Sequence, residues 1–212
     1  SIYSRLGVVR FLRSTMNILE CLFCQKSYPW NTLSPFCPVC GEPMLFSPSR
    51  QKRTFSLEKR LALAKFRDFL PLDKVDEKLS LGEGNTPLVP LLRLMKKYGL
   101  PPVLAKNETM NPTASFKDRG TSVAIQKACS IGIKRIGTVS TGNMATSTAA
   151  YGAKAGLKTY VFLKEDSTPE KMLSTAIHGA VLLRVRGDYG KIFRLSYDIG
   201  RKHRIFFINS ID

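Results

Sequence analysis

Short apolar segments and longer helical segments alternate through the second half of the chain. The predicted helices are residues 117–130, 143–155, 169–177 and 189–202, and the predicted strands that follow them are 135–140, 159–163, 181–185 and 205–208. A separate strand is predicted at 102–106, before the first helix. Short loops between strands and helices in this order indicate a parallel sheet with right-handed crossovers. Both faces of such a sheet are normally covered by helices. We therefore predict an α/β fold with three layers.

One lysine stands at the beginning of the first helix of this pattern. Lys117 lies in the stretch Asn-Pro-Thr-Ala-Ser-Phe-Lys-Asp-Arg-Gly, residues 111–120, in which Thr113 and Ser115 are candidate N-caps. The partial positive charge of a helix N-terminus disfavours an ammonium group. A neutral amine can form an imine with a carbonyl compound. Lys117 is therefore a candidate nucleophile, and a solvated lysine after a turn is the alternative.

A second polar turn follows the predicted strand 135–140. It consists of Ser140, Thr141, Gly142 and Asn143, and it leads directly into a predicted helix. Open parallel sheets bind ligands at the carboxyl ends of their strands, and helix N-termini bind anions through free backbone N–H groups. The turn is thus a candidate carboxylate site, although a simple capped turn uses the same residue types.

Three motifs occur in an order that is characteristic of one enzyme family. They are Leu-Gly-Glu-Gly-Asn-Thr-Pro-Leu (81–88), Glu-Thr-Met-Asn-Pro-Thr-Ala-Ser-Phe-Lys-Asp-Arg-Gly (108–120) and Ser-Thr-Gly-Asn (140–143). Together they resemble the pyridoxal-phosphate enzymes of the tryptophan-synthase-β fold type, also called fold type II. Within that group the chain most resembles the threonine synthases, over residues 21–212.

The resemblance implies a role for each of the candidate residues. Lys117 would bind pyridoxal 5′-phosphate covalently and, once released, transfer protons. Asn143 would hydrogen-bond the 3′-oxygen of the cofactor, and Ser140, Thr141 and Gly142 would hold the substrate carboxylate. The implied reaction converts O-phosphohomoserine, a small amino-acid substrate, to threonine and phosphate. A serine/threonine dehydratase or a cysteate-synthase-like lyase is the alternative within this class.

Four of the five cysteines form two Cys-x-x-Cys pairs separated by twelve residues: Cys21 with Cys24, and Cys37 with Cys40. Two such turns can complete a tetrahedral site of four thiolates, which suits zinc. Gly41 fits the tight turn after the second pair. A rubredoxin-like iron site and a metal-free remnant are the alternatives. Similar cysteine pairs occur at the N-terminus of some threonine synthases, the group that the other motifs resemble.

The chain is strongly basic, with 33 Lys and Arg against 16 Asp and Glu, a net charge of +17. Such a charge favours anionic partners. A nucleic-acid-binding zinc ribbon is the hypothesis of a different class. However, the loop 25–36 between the cysteine pairs has Lys26 as its only basic residue, so we expect no nucleic-acid partner. No apolar run approaches the roughly 20 residues of a membrane helix, and we expect no membrane partner.

We predict three segments along the chain. They are leader residues before a start at Met16 (1–15), a four-cysteine zinc-ribbon-like segment (16–46) and the N-terminal part of a catalytic domain (47–212). Between the cysteines and the first motif we predict a linker (43–54) and an amphipathic helix (56–70), and after that motif a short helix (91–98).

The glycine-rich phosphate cradle and the partner of the pyridine nitrogen, which the resembled family carries in its later half, are not found in the sequence. We therefore expect an N-terminal fragment with an incomplete fold that is inactive by itself. The full-length enzyme is expected to be a cytoplasmic homodimer.

Overall fold

The computed structural model describes residues 18–30, 32, 34–47 and 58–210. The chain divides into two compact units, a first unit of Ser1–Thr54 and a second unit of Phe55–Asp212. The predicted leader, residues 1–15, lies outside the described residues. No helix in the described part of the chain is long and apolar enough to span a bilayer.

The first unit contains a three-stranded antiparallel sheet. Its strands are Ile18–Cys21 (β1), Ser27–Pro29 (β2) and Met44–Ser47 (β3), in the order β2-β1-β3. The small core consists of Leu19, Cys21, Cys37 and Met44. The linker predicted over 43–54 is thus wrong at 44–47, where burial of Met44 against β1 favours a strand, and residues 48–54 lie outside the described residues.

A four-stranded parallel sheet forms the centre of the second unit. Its strands are Arg135–Val139 (β6), Lys158–Lys164 (β7), Val181–Val185 (β8) and Phe206–Phe207 (β9), in the order β8-β7-β6-β9. The helices are Lys117–Ser130 (α3), Asn143–Lys154 (α4), Pro169–Ala176 (α5) and Tyr189–His203 (α6). The predicted α/β class with a parallel sheet is confirmed.

Helices cover both faces of this sheet. Ile136 of β6 packs with Ile125 of α3 and Tyr151 of α4 in one buried cluster. Val139, three residues further along β6, packs in another cluster that contains Ile192 of α6. Residues an odd number of positions apart on a strand face opposite sides, so α3 and α4 lie on one face and α6 on the other.

An antiparallel pair of short strands precedes the parallel sheet in sequence. Leu88–Pro90 (β4) pairs with Leu104–Lys106 (β5), and the helix Leu92–Tyr98 (α2) connects them. Glycine ends α2, because Gly99 takes a left-handed conformation with a φ of 62°. The strand predicted over 102–106 is shorter in the structure, where β5 begins at Leu104. It pairs with β4 outside the parallel sheet.

The helix predicted over 56–70 is wrong in length. Residues 56 and 57 lie outside the described part, and the remainder forms one helical turn at Ala62–Lys65 (α1) and a 3-10 turn at Arg67–Phe69. Asn85 explains the late start, because its side-chain amide donates to the carbonyl of Arg60 at 2.9 Å. This tertiary contact holds the segment before α1 outside the helix, overriding its amphipathic pattern.

Candidate active site and cysteine cluster

Lys117 is the first residue of α3. Phe116 occupies the N-cap position and its side chain makes no capping hydrogen bond. Ser115 Oγ instead accepts a hydrogen bond from the backbone N–H of Lys117 at 3.2 Å, so Ser115 satisfies one free donor of the first turn. The prediction that Thr113 caps the helix is wrong, because its hydroxyl bonds a side chain of α3.

The amine of Lys117 is half-buried and contacts two groups. Its Nζ donates a hydrogen bond to Ser210 Oγ at 2.9 Å and lies 4.7 Å from the ring centroid of Phe116. Ser210 was missed from the sequence, although it follows β9 at the carboxyl end of a parallel strand. Asn209 holds the residues after β9 against β6, because its side-chain oxygen accepts a hydrogen bond from the backbone N–H of Val139 at 2.8 Å.

A cavity of about 500 Å³ opens at the carboxyl ends of the parallel strands. Of the predicted site residues, Lys117, Ser140, Thr141 and Asn143 line this cavity and Gly142 does not. The structure adds Lys164, Tyr189 and Ser210 to the polar lining. No acidic residue lies among the described residues that line the cavity, and two of the lining residues are lysines.

The donors around the cavity suit a molecule with a carbonyl group and anionic substituents. Lys117 supplies an amine, Asn143 an amide, and Ser140 and Thr141 hydroxyls. The first turn of α4 adds backbone N–H groups that have no acceptor within the helix. Gly142 precedes this turn, and its own N–H donates to Ser140 Oγ at 3.2 Å. Pyridoxal phosphate, an aldehyde with a phosphate group, fits this set of donors.

Arg119 forms an ion pair behind the lysine. Its Nε and one terminal nitrogen donate to the two carboxylate oxygens of Glu108 at 2.6 and 2.7 Å. Thr86 Oγ1 donates to the same carboxylate at 2.8 Å. The hydrogen bonds from Arg119, opposed by desolvation, lower the pKa of Glu108 to about 2. Arg119 is therefore paired with Glu108, and it does not line the cavity.

The motif at 81–88 is held by a buried carboxylate. Glu83 accepts hydrogen bonds from Ser80 Oγ at 2.9 Å and from the hydroxyl of Tyr151 at 2.8 Å. Burial, reinforced by Glu83, raises the pKa of Tyr151 strongly. Gly84 has a φ of 83°, and a Cβ there would lie 2.4 Å from that of Ala62. The acid and glycine of this motif therefore fix the backbone rather than line the cavity.

Four cysteine sulfurs converge in the first unit. The Sγ atoms of Cys21, Cys24, Cys37 and Cys40 all lie within 4.8 Å of one another. The sulfurs of Cys21 and Cys40 are 3.4 Å apart, and those of Cys24 and Cys37 are 3.6 Å apart. Tetrahedral zinc with Zn–S bonds of about 2.3 Å places its sulfurs about 3.8 Å apart, so this set could hold a metal.

Tyr28 supports one of these cysteines. Its hydroxyl lies 3.2 Å from Cys37 Sγ. Desolvation raises the pKa of Cys37, but the hydrogen bonds from Tyr28 and from the backbone outweigh this effect and lower the pKa to about 6. The same contact raises the pKa of Tyr28 to about 12. Metal ligation requires the thiolate, which these donors stabilise.

The second unit is similar to enzymes of known fold. The chain superimposes on apo diaminopropionate ammonia lyase from Escherichia coli with a TM-score of 0.55 and 21% identity, over 62% of this chain and 41% of the lyase. The processed form of threonine deaminase isoform 2 from Solanum lycopersicum gives a TM-score of 0.52 and 19% identity, over 58% of this chain and 34% of the deaminase. These likenesses show a shared fold, in agreement with the predicted fold type II.

Sequence relatives share higher identity. Threonine synthase from Halalkalibacterium halodurans is 39% identical over 151 residues, which are 71% of this chain and 42% of the relative. Threonine synthase from Methanocaldococcus jannaschii is 32% identical over 199 residues, 91% of this chain and 49% of the relative. The chain thus spans about half the length of these curated relatives.

A family model supplies the assignment. The model described as "Pyridoxal-phosphate dependent enzyme" matches residues 79–212, which include Lys117, the cavity and the whole parallel sheet. Because this match covers more than half of the chain, the chain belongs to the family of pyridoxal-phosphate dependent enzymes.

Proposed function

We propose that this chain supplies the lysine side of a pyridoxal-phosphate site. Lys117 binds the cofactor covalently, Asn143 hydrogen-bonds its 3′-oxygen, and Ser140, Thr141 and Gly142 receive the substrate carboxylate. The observation that supports this proposal most is that Lys117 lines the same cavity as three residues of a turn that is distant from it in sequence: Ser140, Thr141 and Asn143. Gly142 contributes through its position before α4, at the free N–H groups of the helix.

In the proposed site, some residues of this chain bind the cofactor and substrate, and Lys117 transfers protons. When bound, pyridoxal phosphate supplies an electron sink for the carbanion of the amino-acid substrate. The amine of Lys117 removes and returns protons as general base and acid. Ser210 Oγ, 2.9 Å from Nζ, accepts a hydrogen bond that orients this amine. The α4 N-terminus orients the substrate through its carboxylate.

The reaction that we propose is the conversion of O-phosphohomoserine to threonine and phosphate. It is supported by the threonine synthases among the sequence relatives, which are 39% and 32% identical. A phosphorylated substrate also agrees with a cavity that has Lys117 and Lys164 in its lining and no acid among the described lining residues. Lys164 is paired with Asp166 at 2.7 Å, so a bound phosphate would have to share this ammonium group. The homodimer, the cytoplasmic location and the absence of a nucleic-acid partner stay predictions.

Two assays on the purified full-length enzyme separate this reaction from that of a dehydratase. We expect release of phosphate from O-phosphohomoserine and no release of ammonia from threonine. Lys117→Ala should abolish turnover, whereas Lys154→Ala, which removes an exposed lysine at the end of α4, should retain it. Turnover by Lys117→Ala would contradict the role of the lysine, and ammonia release without phosphate release would favour the dehydratase.

We further propose that Cys21, Cys24, Cys37 and Cys40 bind one structural zinc ion. The convergence of four sulfurs within 4.8 Å supports this proposal. The core of the first unit is small, so bound metal would contribute much of its folding free energy. A structural role of this zinc site, rather than nucleic-acid binding, is supported by the loop between the cysteine pairs, which contains a single basic residue, Lys26.

Metal analysis tests the zinc site. We expect one zinc per chain in the wild type and in Cys129→Ser, whose cysteine lies in the second unit. Cys24→Ser should lose most of the zinc, because three thiolates hold the ion less tightly than four. Stoichiometric iron would favour a rubredoxin-like iron site. A wild type without bound metal would indicate that the four cysteines are the remnant of a metal site.

A further inference from the structure

Asp118 is fully buried next to the lysine, although it does not line the cavity. Its carboxylate accepts hydrogen bonds from the backbone N–H of Thr113 at 2.7 Å and from Thr113 Oγ1 at 2.5 Å. A third hydrogen bond comes from Ser147 Oγ at 2.7 Å. The carboxylate thus joins the turn before α3, the first turn of α3 and the middle of α4.

Ser147 connects this carboxylate to the other wall of the cavity. It lies four residues after Asn143, so the two side chains share one face of α4. Ser147 is also fully buried, and its Oγ lies 2.9 Å from Thr121 Oγ1 of α3. The bond between Ser147 and Asp118 therefore fixes the rotation of α4 relative to the start of α3.

We propose that Asp118 and Ser147 are positioning residues that set Asn143 and Lys117 in the geometry required to hold one cofactor. This inference rests on the proposed roles of Lys117 and Asn143. Its energetic basis is that a buried hydrogen bond to a charged group is expensive to break. Without the Ser147 donor, α4 can rotate while the turn at Thr113 still holds α3.

The test compares Ser147→Ala with Thr148→Val in the purified full-length enzyme loaded with pyridoxal phosphate. Thr148 is the next residue on the same helix, is equally buried, and its hydroxyl has no hydrogen-bond partner in the described part of the chain. Valine keeps its shape. Two quantities are measured at matched folded fractions: the dissociation constant of pyridoxal phosphate and the visible circular dichroism of the bound cofactor, which reports its orientation.

We expect Ser147→Ala to weaken cofactor binding about tenfold, the effect of losing about 1.4 kcal/mol. It should also change the visible circular dichroism. Thr148→Val should leave both quantities unchanged. Ser147→Cys, which keeps the size of serine and a weaker donor, should lie between Ser147→Ala and the wild type, and it replaces Ser147→Ala if that variant does not fold.

Two results would overturn the inference, and they differ in what else they affect. If the wild type binds the cofactor through Lys117 and the Ser147 variants match it in dissociation constant and dichroism, the positioning role is wrong while the proposed function stands. If the wild type forms no covalent bond between Lys117 and the cofactor, both the proposed function and this inference fail.

Discussion

Three consecutive residues at the start of α3 send their side chains to three different places. Lys117 contacts Ser210 at the cavity, Asp118 is buried against Thr113 and α4, and Arg119 pairs with Glu108. A single turn of helix thereby holds the reactive amine while its neighbours fix the backbone on either side. The motif therefore places the amine of Lys117 at the cavity, while Asp118 and Arg119 anchor the first turn of α3.

The ion pair of Arg119 with Glu108 gives a prediction of stability against pH. Glu108→Gln should lower the free energy of unfolding at neutral pH by about 1–2 kcal/mol, toward the low end for charged hydrogen bonds because the pair is partly solvent-screened. The folded-state pKa of about 2 lies below the ordinary 4.5, so the stabilisation is complete above about pH 4.5.

The difference between wild type and variant should therefore narrow as the pH falls from 4.5 toward 2. Urea unfolding between pH 3 and 8 measures it. Glu77→Gln, which changes an exposed carboxylate, should stay within about 0.5 kcal/mol of the wild type throughout. A constant difference between Glu108→Gln and the wild type down to the lowest pH would show that the carboxylate charge contributes nothing.

The residues that could and could not be predicted differ in the range of their contacts. Lys117 and the turn 140–143 were found because local sequence places them at strand ends, and the structure brings them to one cavity. Ser210 was missed because its role depends on where β9 joins the sheet, beside β6, whose paired residues lie 70 positions earlier in the sequence. The helix ends were predicted better than the caps, because Thr113 bonds Asp118 instead of a free N–H.

At the scale of elements, α4 lies unusually close to the sheet. A Cβ at Gly152 would lie 2.1 Å from Thr159 Oγ1 and 2.9 Å from Ile136 Cδ1. Glycine is therefore required by the distance between the helix and β6 and β7, not by its φ. The alternation of strands and helices could be predicted from sequence, but this close approach could not, because it depends on packing between distant residues.

Gly152→Ala should destabilise the protein by about 1–3 kcal/mol through overpacking. Gly120→Ala is the matched control, because Gly120 is also helical and has nothing within 4 Å of an added Cβ. It should raise stability by about 0.4–1 kcal/mol through the lower entropy of the unfolded chain. Denaturant midpoints of the two variants measure the difference, and equal midpoints would show that α4 can move away from the sheet at no cost.

At the scale of the whole molecule, the net charge of +17 is spread over a chain that spans about half the length of its curated relatives. Composition alone suggested anionic partners of several classes. We propose a small phosphorylated molecule as the anionic partner, because Lys117 and the N-terminus of α4 border the cavity. We propose that Lys117, among all the lysines of this basic chain, binds pyridoxal phosphate.

Peptide mapping by mass spectrometry tests that claim most directly. The purified full-length enzyme is incubated with pyridoxal phosphate, reduced with borohydride to make the lysine linkage permanent, and digested. We predict that the phosphopyridoxyl group is found on the peptide containing Lys117, in one copy per chain, and that it is absent from Lys117→Ala. Stoichiometric labelling of another lysine, or none at Lys117, would contradict the account.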